Sequence, residues 1–124
     1  TQVKELWFSN KLRIHHGNGL RIGDYVYGSS GDFGPSFLVA MNVRTGALAW
    51  QERGLAKATA VLGDGKLVLL DEEGTLALAT ATAENLTILS KASVFQGRCW
   101  TAPTLAGTRL FVRDRAAIKA FDIG

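Results

Sequence analysis

Leu20-Arg21-Ile22-Gly23-Asp24-Tyr25-Val26-Tyr27 is the first of three versions of one phrase: a short apolar segment, a Gly-polar turn and a β-rich run. The others are Val61-Leu62-Gly63-Asp64-Gly65-Lys66-Leu67-Val68-Leu69 and Leu105-Ala106-Gly107-Thr108-Arg109-Leu110-Phe111-Val112. Aligning Tyr25, Leu67 and Leu110 gives spacings of 42 and 43, an internal period of about 42. A third run follows in each unit, at Phe37 to Asn42, Leu76 to Thr80 and Ile118 to Asp122. Its aligned positions Ala40, Leu78 and Ala120 lie 38 and 42 apart, with a longer Gly/Ser loop, Gly28 to Pro35, in the first unit. A fourth run covers Ala47 to Trp50 and Leu86 to Leu89.

Short runs of Val, Leu, Tyr, Phe and Thr broken every few residues by Gly-polar turn signals leave little room for helix, so the chain reads as all-β. Phe37-Leu38-Val39-Ala40-Met41 is apolar at successive positions, which requires cover on both faces of its sheet. Four-stranded units of this length, buried on both faces, match the blades of a β-propeller. The expected organisation is a single propeller segment with blades at 11–53, 54–95 and 96–124, the third lacking its fourth strand. Residues 1–10, with Trp7 where the first unit has Trp50, read as a strand that completes the last blade and removes an exposed edge.

With 47% apolar and 20% charged residues in 124, the composition is that of a folded domain and excludes a disordered chain. The longest uncharged stretches, such as Gly74 to Ala83, are about half what a membrane-spanning helix needs. The net charge of +3 is spread along the chain with no lysine or arginine run, which gives nucleic-acid binding no support. Cys99 is the only cysteine, so packing must hold the fold without an internal disulfide. A start at Thr1, with no charged-then-apolar leader, reads as a removed leader or as a piece, natural or engineered, of something longer.

Ala40-Met41-Asn42-Val43-Arg44-Thr45-Gly46-Ala47-Leu48-Ala49-Trp50 resembles the tryptophan-docking signature of the quinoprotein, or pyrroloquinoline-quinone-like, propeller repeat. That signature usually reads Ala-x-Asp-x-x-Thr-Gly-x-x-x-Trp, and Asn42 is the one departure in the first unit. Ala120-Phe121-Asp122 keeps its start in the third unit, and the second has lost both Gly and Trp. The resemblance implies structural duties for Ala40, Asn42, Thr45, Gly46, Trp50 and Trp7, and a periplasmic or secreted location. Redox members of that superfamily hold their quinone in a closed eight-bladed ring with adjacent cysteines and acidic calcium ligands. One cysteine and three blades do not fit that pattern, so no cofactor is expected; the family also contains non-enzymatic scaffolds, such as the lipoprotein of the outer-membrane assembly machinery.

If strands alternate up and down, the connections between blades and the loops between second and third strands share one face, the candidate binding face. His15, Lys57 and Trp100, each ten residues before the aligned strand position, fall on it. So do His16, Arg53, Arg98, Arg113 and the loops Asp32 to Pro35, Asp71 to Gly74 and Arg113 to Ala116. The mixture of basic and aromatic groups suits an anionic or planar ligand. Adjacent His15 and His16 would point apart on an extended strand, no CxxC or metal-spaced histidine is present, and Asp71-Glu72-Glu73-Gly74 lacks a calcium loop's alternating ligands, so no metal site is expected. No phosphate loop follows Gly17-Asn18-Gly19 or Gly28-Ser29-Ser30-Gly31, and no nucleophile motif surrounds Cys99. The expected function is therefore a non-catalytic propeller scaffold or binding module, with part of a quinone-dependent oxidoreductase as the alternative. An isolated three-blade arc exposes apolar end faces, which points to ring closure with further copies as a homodimer or trimer.

Overall fold

The computed structural model describes residues 2–31 and 34–124. Thr1, the first residue of the expected terminal strand, and Asp32 and Phe33, from the expected face loop, lie outside the described residues. Eleven strands form three antiparallel sheets in simple meander order, and no helix occurs among the described residues. The first blade holds β1 (Leu20–Ile22), β2 (Tyr25–Ser30), β3 (Phe37–Asn42) and β4 (Leu48–Arg53). The second holds β5 (Thr59–Gly63), β6 (Lys66–Leu70), β7 (Thr75–Ala81) and β8 (Leu86–Ser93). The third holds β9 (Thr104–Ala106), β10 (Arg109–Arg113) and β11 (Ile118–Asp122), and β11 has no outer neighbour among the described residues. These are β-propeller blades.

The middle blade shows why its strands are apolar at successive positions. Leu67, Leu69, Ala77 and Ala79 face the first blade, packing with Tyr27, Leu38 and Ala40, while Val68 and Leu70 face the third, packing with Leu110 and Val112. Period-2 alternation sends neighbouring residues to opposite sides, and both sides are covered. The innermost strands are also tied across blades. Asn18 mimics a backbone rung, donating Nδ2–H to Ala60 O and accepting from Ala60 N, both at 2.9 Å, and the Thr59 hydroxyl lies 3.3 Å from Thr101 O.

Hairpin geometry corrects the alignment by one residue in the first unit. The turn pairs are Gly23-Asp24, Asp64-Gly65 and Gly107-Thr108, because Ile22 pairs with Tyr25, Gly63 with Lys66 and Ala106 with Arg109. Tyr25 therefore matches Lys66 and Arg109, and Val26 matches Leu67 and Leu110. A tight two-residue turn accepts glycine at either position, as Gly23 (φ 61°) and Gly65 (φ 68°) show, so alignment on the glycine slips the register. The third-strand alignment of Ala40, Leu78 and Ala120 agrees with the pairing of Tyr27, Val68 and Phe111 opposite them.

The signature folds as its chemistry suggests. Asn42 Oδ1 accepts from the backbone N–H of Arg44 at 2.8 Å and Thr45 at 3.3 Å, so the amide supplies the acceptor that an aspartate would. Gly46 (φ 73°) donates to Asn42 O, and the Thr45 hydroxyl accepts from Ala47 N. Trp50, on β4, reaches the next blade, where its indole N–H donates to Thr82 O at 2.7 Å, while its ring stacks at a tilt on Tyr27 of its own blade, centroids 5.9 Å apart. Residues 3–8 form no strand, yet Trp7 makes the same kind of contact: its indole N–H donates to Val43 O at 2.8 Å, against Gly46.

Candidate functional site

The β6–β7 turn brings a carboxylate to the junction of all three blades. Asp71 folds that turn by accepting from Glu73 N and Thr75 N, and Glu72 is held from both sides, its N–H on Ala56 O and its carbonyl on Cys99 N. Ala56 belongs to the first inter-blade connection and Cys99 to the second, so the fold pins Glu72 between them. Glu72 is only 9% exposed, and a buried carboxylate needs partners.

Those partners are the residues of the expected face. Trp100 Nε1–H donates to Glu72 Oε1 at 3.0 Å; Arg98 lies 3.3 Å and Lys57 3.6 Å from Oε2. His16 Nε2 stands 3.9 Å from Oε1, and its ring meets Trp100 at 5.5 Å. The Arg115 guanidinium sits over the Trp100 ring, 5.5 Å from its centroid. Burial by itself would raise the Glu72 carboxyl, but the Trp100 hydrogen bond, then Lys57, Arg98 and His16, outweigh it and hold the group below its ordinary range. Burial dominates at His16, with Lys57 and His15 adding to it against Glu72, and keeps that imidazole neutral near pH 7. Both ring nitrogens of His16 are buried without a hydrogen-bond partner among the described residues.

The corrected register explains which histidine belongs. His16, Lys57 and Trp100 occupy equivalent places ten residues before Val26, Leu67 and Leu110, and these three converge on Glu72. His15 is exposed and meets the His16 ring edge-on, centroids 5.3 Å apart. Arg113 does not join; its guanidinium donates to Asp114 O, and Arg53 lies over Phe37 away from the cluster. Glu72 is the residue that motif reasoning missed as a centre, having been placed on the face only as part of the Asp71 to Gly74 loop. The signal available was the run Asp71-Glu72-Glu73, three acids in succession on a face with several basic and aromatic residues.

Lys57 and Arg98 flank the Glu72 carboxylate, Arg115 lies on the Trp100 ring, and the Arg98 side chain is 55% exposed, which leaves guanidinium donors within reach of solvent. Cys99 is fully buried, and burial followed by Asp114 and Asp71 pushes its thiol upward, which removes it as a nucleophile. No group of three or more metal-ligating side chains occurs among the described residues, and no helix is long and apolar enough to cross a membrane.

No family model matches the chain, and no curated protein matches it. Among solved structures it is similar to the crystal structure of BamB from Moraxella catarrhalis, with 23% identity and a TM-score of 0.61, over 82% of this chain and 30% of that one. The chain thus spans under a third of the length of that relative, and the likeness is one of fold: a β-propeller.

Proposed function

We propose that the chain is a non-catalytic β-propeller binding module of the quinoprotein-type repeat, whose blade-junction face takes an anionic group of its partner. The observation that carries this reading is the convergence of Lys57, Arg98 and Trp100, one from the first connection and two from the second, on a single buried carboxylate. An incoming carboxylate or phosphate would share the exposed Arg98 donors and the Arg115-capped Trp100 face, where charge-assisted bonds are strongest. A quinone-dependent redox role gains no comparable support, because Cys99 has no cysteine neighbour and Asp71 and Glu72 are engaged in the turn and the cluster.

The test is a titration with a short oligoglutamate peptide and, separately, an oligolysine peptide, followed by amide chemical shifts. Saturable shifts at residues 97–100 and 113–116 with the acidic peptide alone are expected, with at least tenfold weaker binding in Arg98→Ala. Shifts insensitive to Arg98→Ala, or none at millimolar peptide, would sink the reading.

The same reading includes self-association. The free face of the third blade carries Phe111, Ala120 and Ile118, the last 68% exposed, beside the unpaired edge of β11. Trp7 seats on the first blade as Trp50 seats on the second, which supports residues 2–9 running where a preceding blade's outer strand would lie. A second copy's β11 is the partner such a strand fits. Light scattering coupled to size exclusion should give two or three chains per particle; a monomer at every concentration would refute this part.

A further inference from the structure

The two equivalent seams between blades are filled differently. Between the first and second blades an aromatic ladder occupies the space: Tyr25, Tyr27 and Trp50, with centroids 6.5 and 5.9 Å apart in sequence along the stack. Strand register fixes their counterparts in the next seam. Trp50 pairs with Ala40 just before a β-bulge, and Ser90 pairs with Leu78 just before the matching bulge. Tyr25 and Tyr27 correspond to Lys66 and Val68. Three rings are thus replaced by an ammonium, a small aliphatic group and a hydroxyl.

The space the rings would fill is open. A cleft of about 540 Å³ lies between the second and third blades, lined by Val68, Leu78 and Ser90 on one side and Leu105, Thr108 and Ile123 on the other. The receiving wall keeps its pattern too. Val43, whose carbonyl takes the Trp7 indole, donates its own N–H to the turn residue Asp24, and Ile123 donates in the same way to Thr108. Ile123 O is therefore the counterpart of the acceptor that an indole uses elsewhere in this chain.

The geometry points to a binding site in this cleft for a free planar aromatic molecule, of indole size or larger, seated against Ser90. Its apolar walls would take the ring faces and the Ile123 carbonyl would meet a ring N–H, while the Lys66 ammonium at the rim is paired with Asp64 at 2.9 Å. The occupant is argued from the seam itself: the Trp50 indole fills the equivalent seam, and the Trp7 indole seats in the same way on the first blade. This inference is independent of the Glu72 face.

The test uses indole as the probe on the full chain, read by amide shifts and calorimetry. Saturable shifts at Ser90, Leu105 and Thr108 are expected. Ser90→Trp, which supplies the ring covalently, should weaken indole binding at least tenfold and raise the melting temperature. Should that variant fail to fold, Val68→Phe narrows the cleft from the same wall, two strands away from Ser90, and should weaken indole binding by a similar factor. An absence of saturable shifts at those amides, or indole affinity unchanged within twofold in the folded variant, would overturn the site.

Discussion

Replacing Trp50 by alanine tests whether the seam between the first two blades is held as described. Three contributions are lost: the indole N–H bond to Thr82 O at 2.7 Å, the tilted ring pair with Tyr27 and the apolar contact with the core of the first two blades. A hydrogen bond contributes about 1 kcal/mol net and an aromatic pair about 0.5–1.5 kcal/mol beyond its area. Full truncation of a buried Trp costs about 3–5 kcal/mol, and Trp50 is half-buried, so about 2–3 kcal/mol is expected in total. Trp50→Phe keeps a ring and loses the N–H, for about 1 kcal/mol. Urea unfolding followed by circular dichroism measures both, as a shift in midpoint at constant slope. A loss below about half a kilocalorie for Trp50→Ala, the range of ordinary surface changes, would refute the seam.

Acid should loosen the blade junction in two stages. His16 and Glu72 both titrate below their ordinary values of 6.5 and 4.5, so the unfolded chain binds more protons than the folded one and stability is lost as the pH is lowered. The His16 share is present above about 6.5 and lost as pH drops through its lower folded value; the Glu72 share is present above about 4.5 and lost below it. Urea midpoints from pH 8 to 3.5 should show both losses, with Glu72→Gln removing the lower one. Asn18→Ala deletes a donor and an acceptor facing Ala60 and should cost about 1–3 kcal/mol by the same urea assay, whereas an unchanged midpoint would show the rung to be dispensable. Gly46→Ala should cost about 1–2 kcal/mol and alter tryptophan emission, since the residue has φ 73° and an added Cβ would strike the Trp7 ring.

Much of the fold is legible because the repeat writes it three times. Phe37–Asn42 and Ile118–Asp122 are strands with the expected bounds, and the fourth strands only run longer, to Arg53 and Ser93. The one-residue slip in the first unit was not legible, since Gly23 and Gly65 serve their turns from different positions and only pairing reveals it. That slip made His15, in place of His16, the position equivalent to Lys57 and Trp100, although both histidines fall on the expected face. Glu72 was hidden for a related reason: its neighbour Asp71 reads as a turn residue, and a turn is where an acidic pair ordinarily meets water. Burial comes from Ala56 and Cys99 closing over it, contacts between segments far apart in the chain.

Repeat arithmetic also separates scaffold from site. Where equivalent positions keep one chemistry, as Asp71 and Asp114 do in folding their turns, the residue serves the blade. Where they diverge, the blade's needs do not explain the choice. In corrected register Glu72 is matched by Gly31 in the first blade and Arg115 in the third, so the third-blade turn folds on Asp114 with no acid at the Glu72 position. Arg115 then stacks on the Trp100 that hydrogen-bonds Glu72, so two divergent positions meet on one ring. Ser90 diverges in the opposite sense, giving up a ring that its counterparts use to hold seams together. A surface built only for packing would have kept the ring and omitted the buried charge, since each choice costs stability that the alternative would retain. The divergent positions are accordingly the ones at which binding is to be sought.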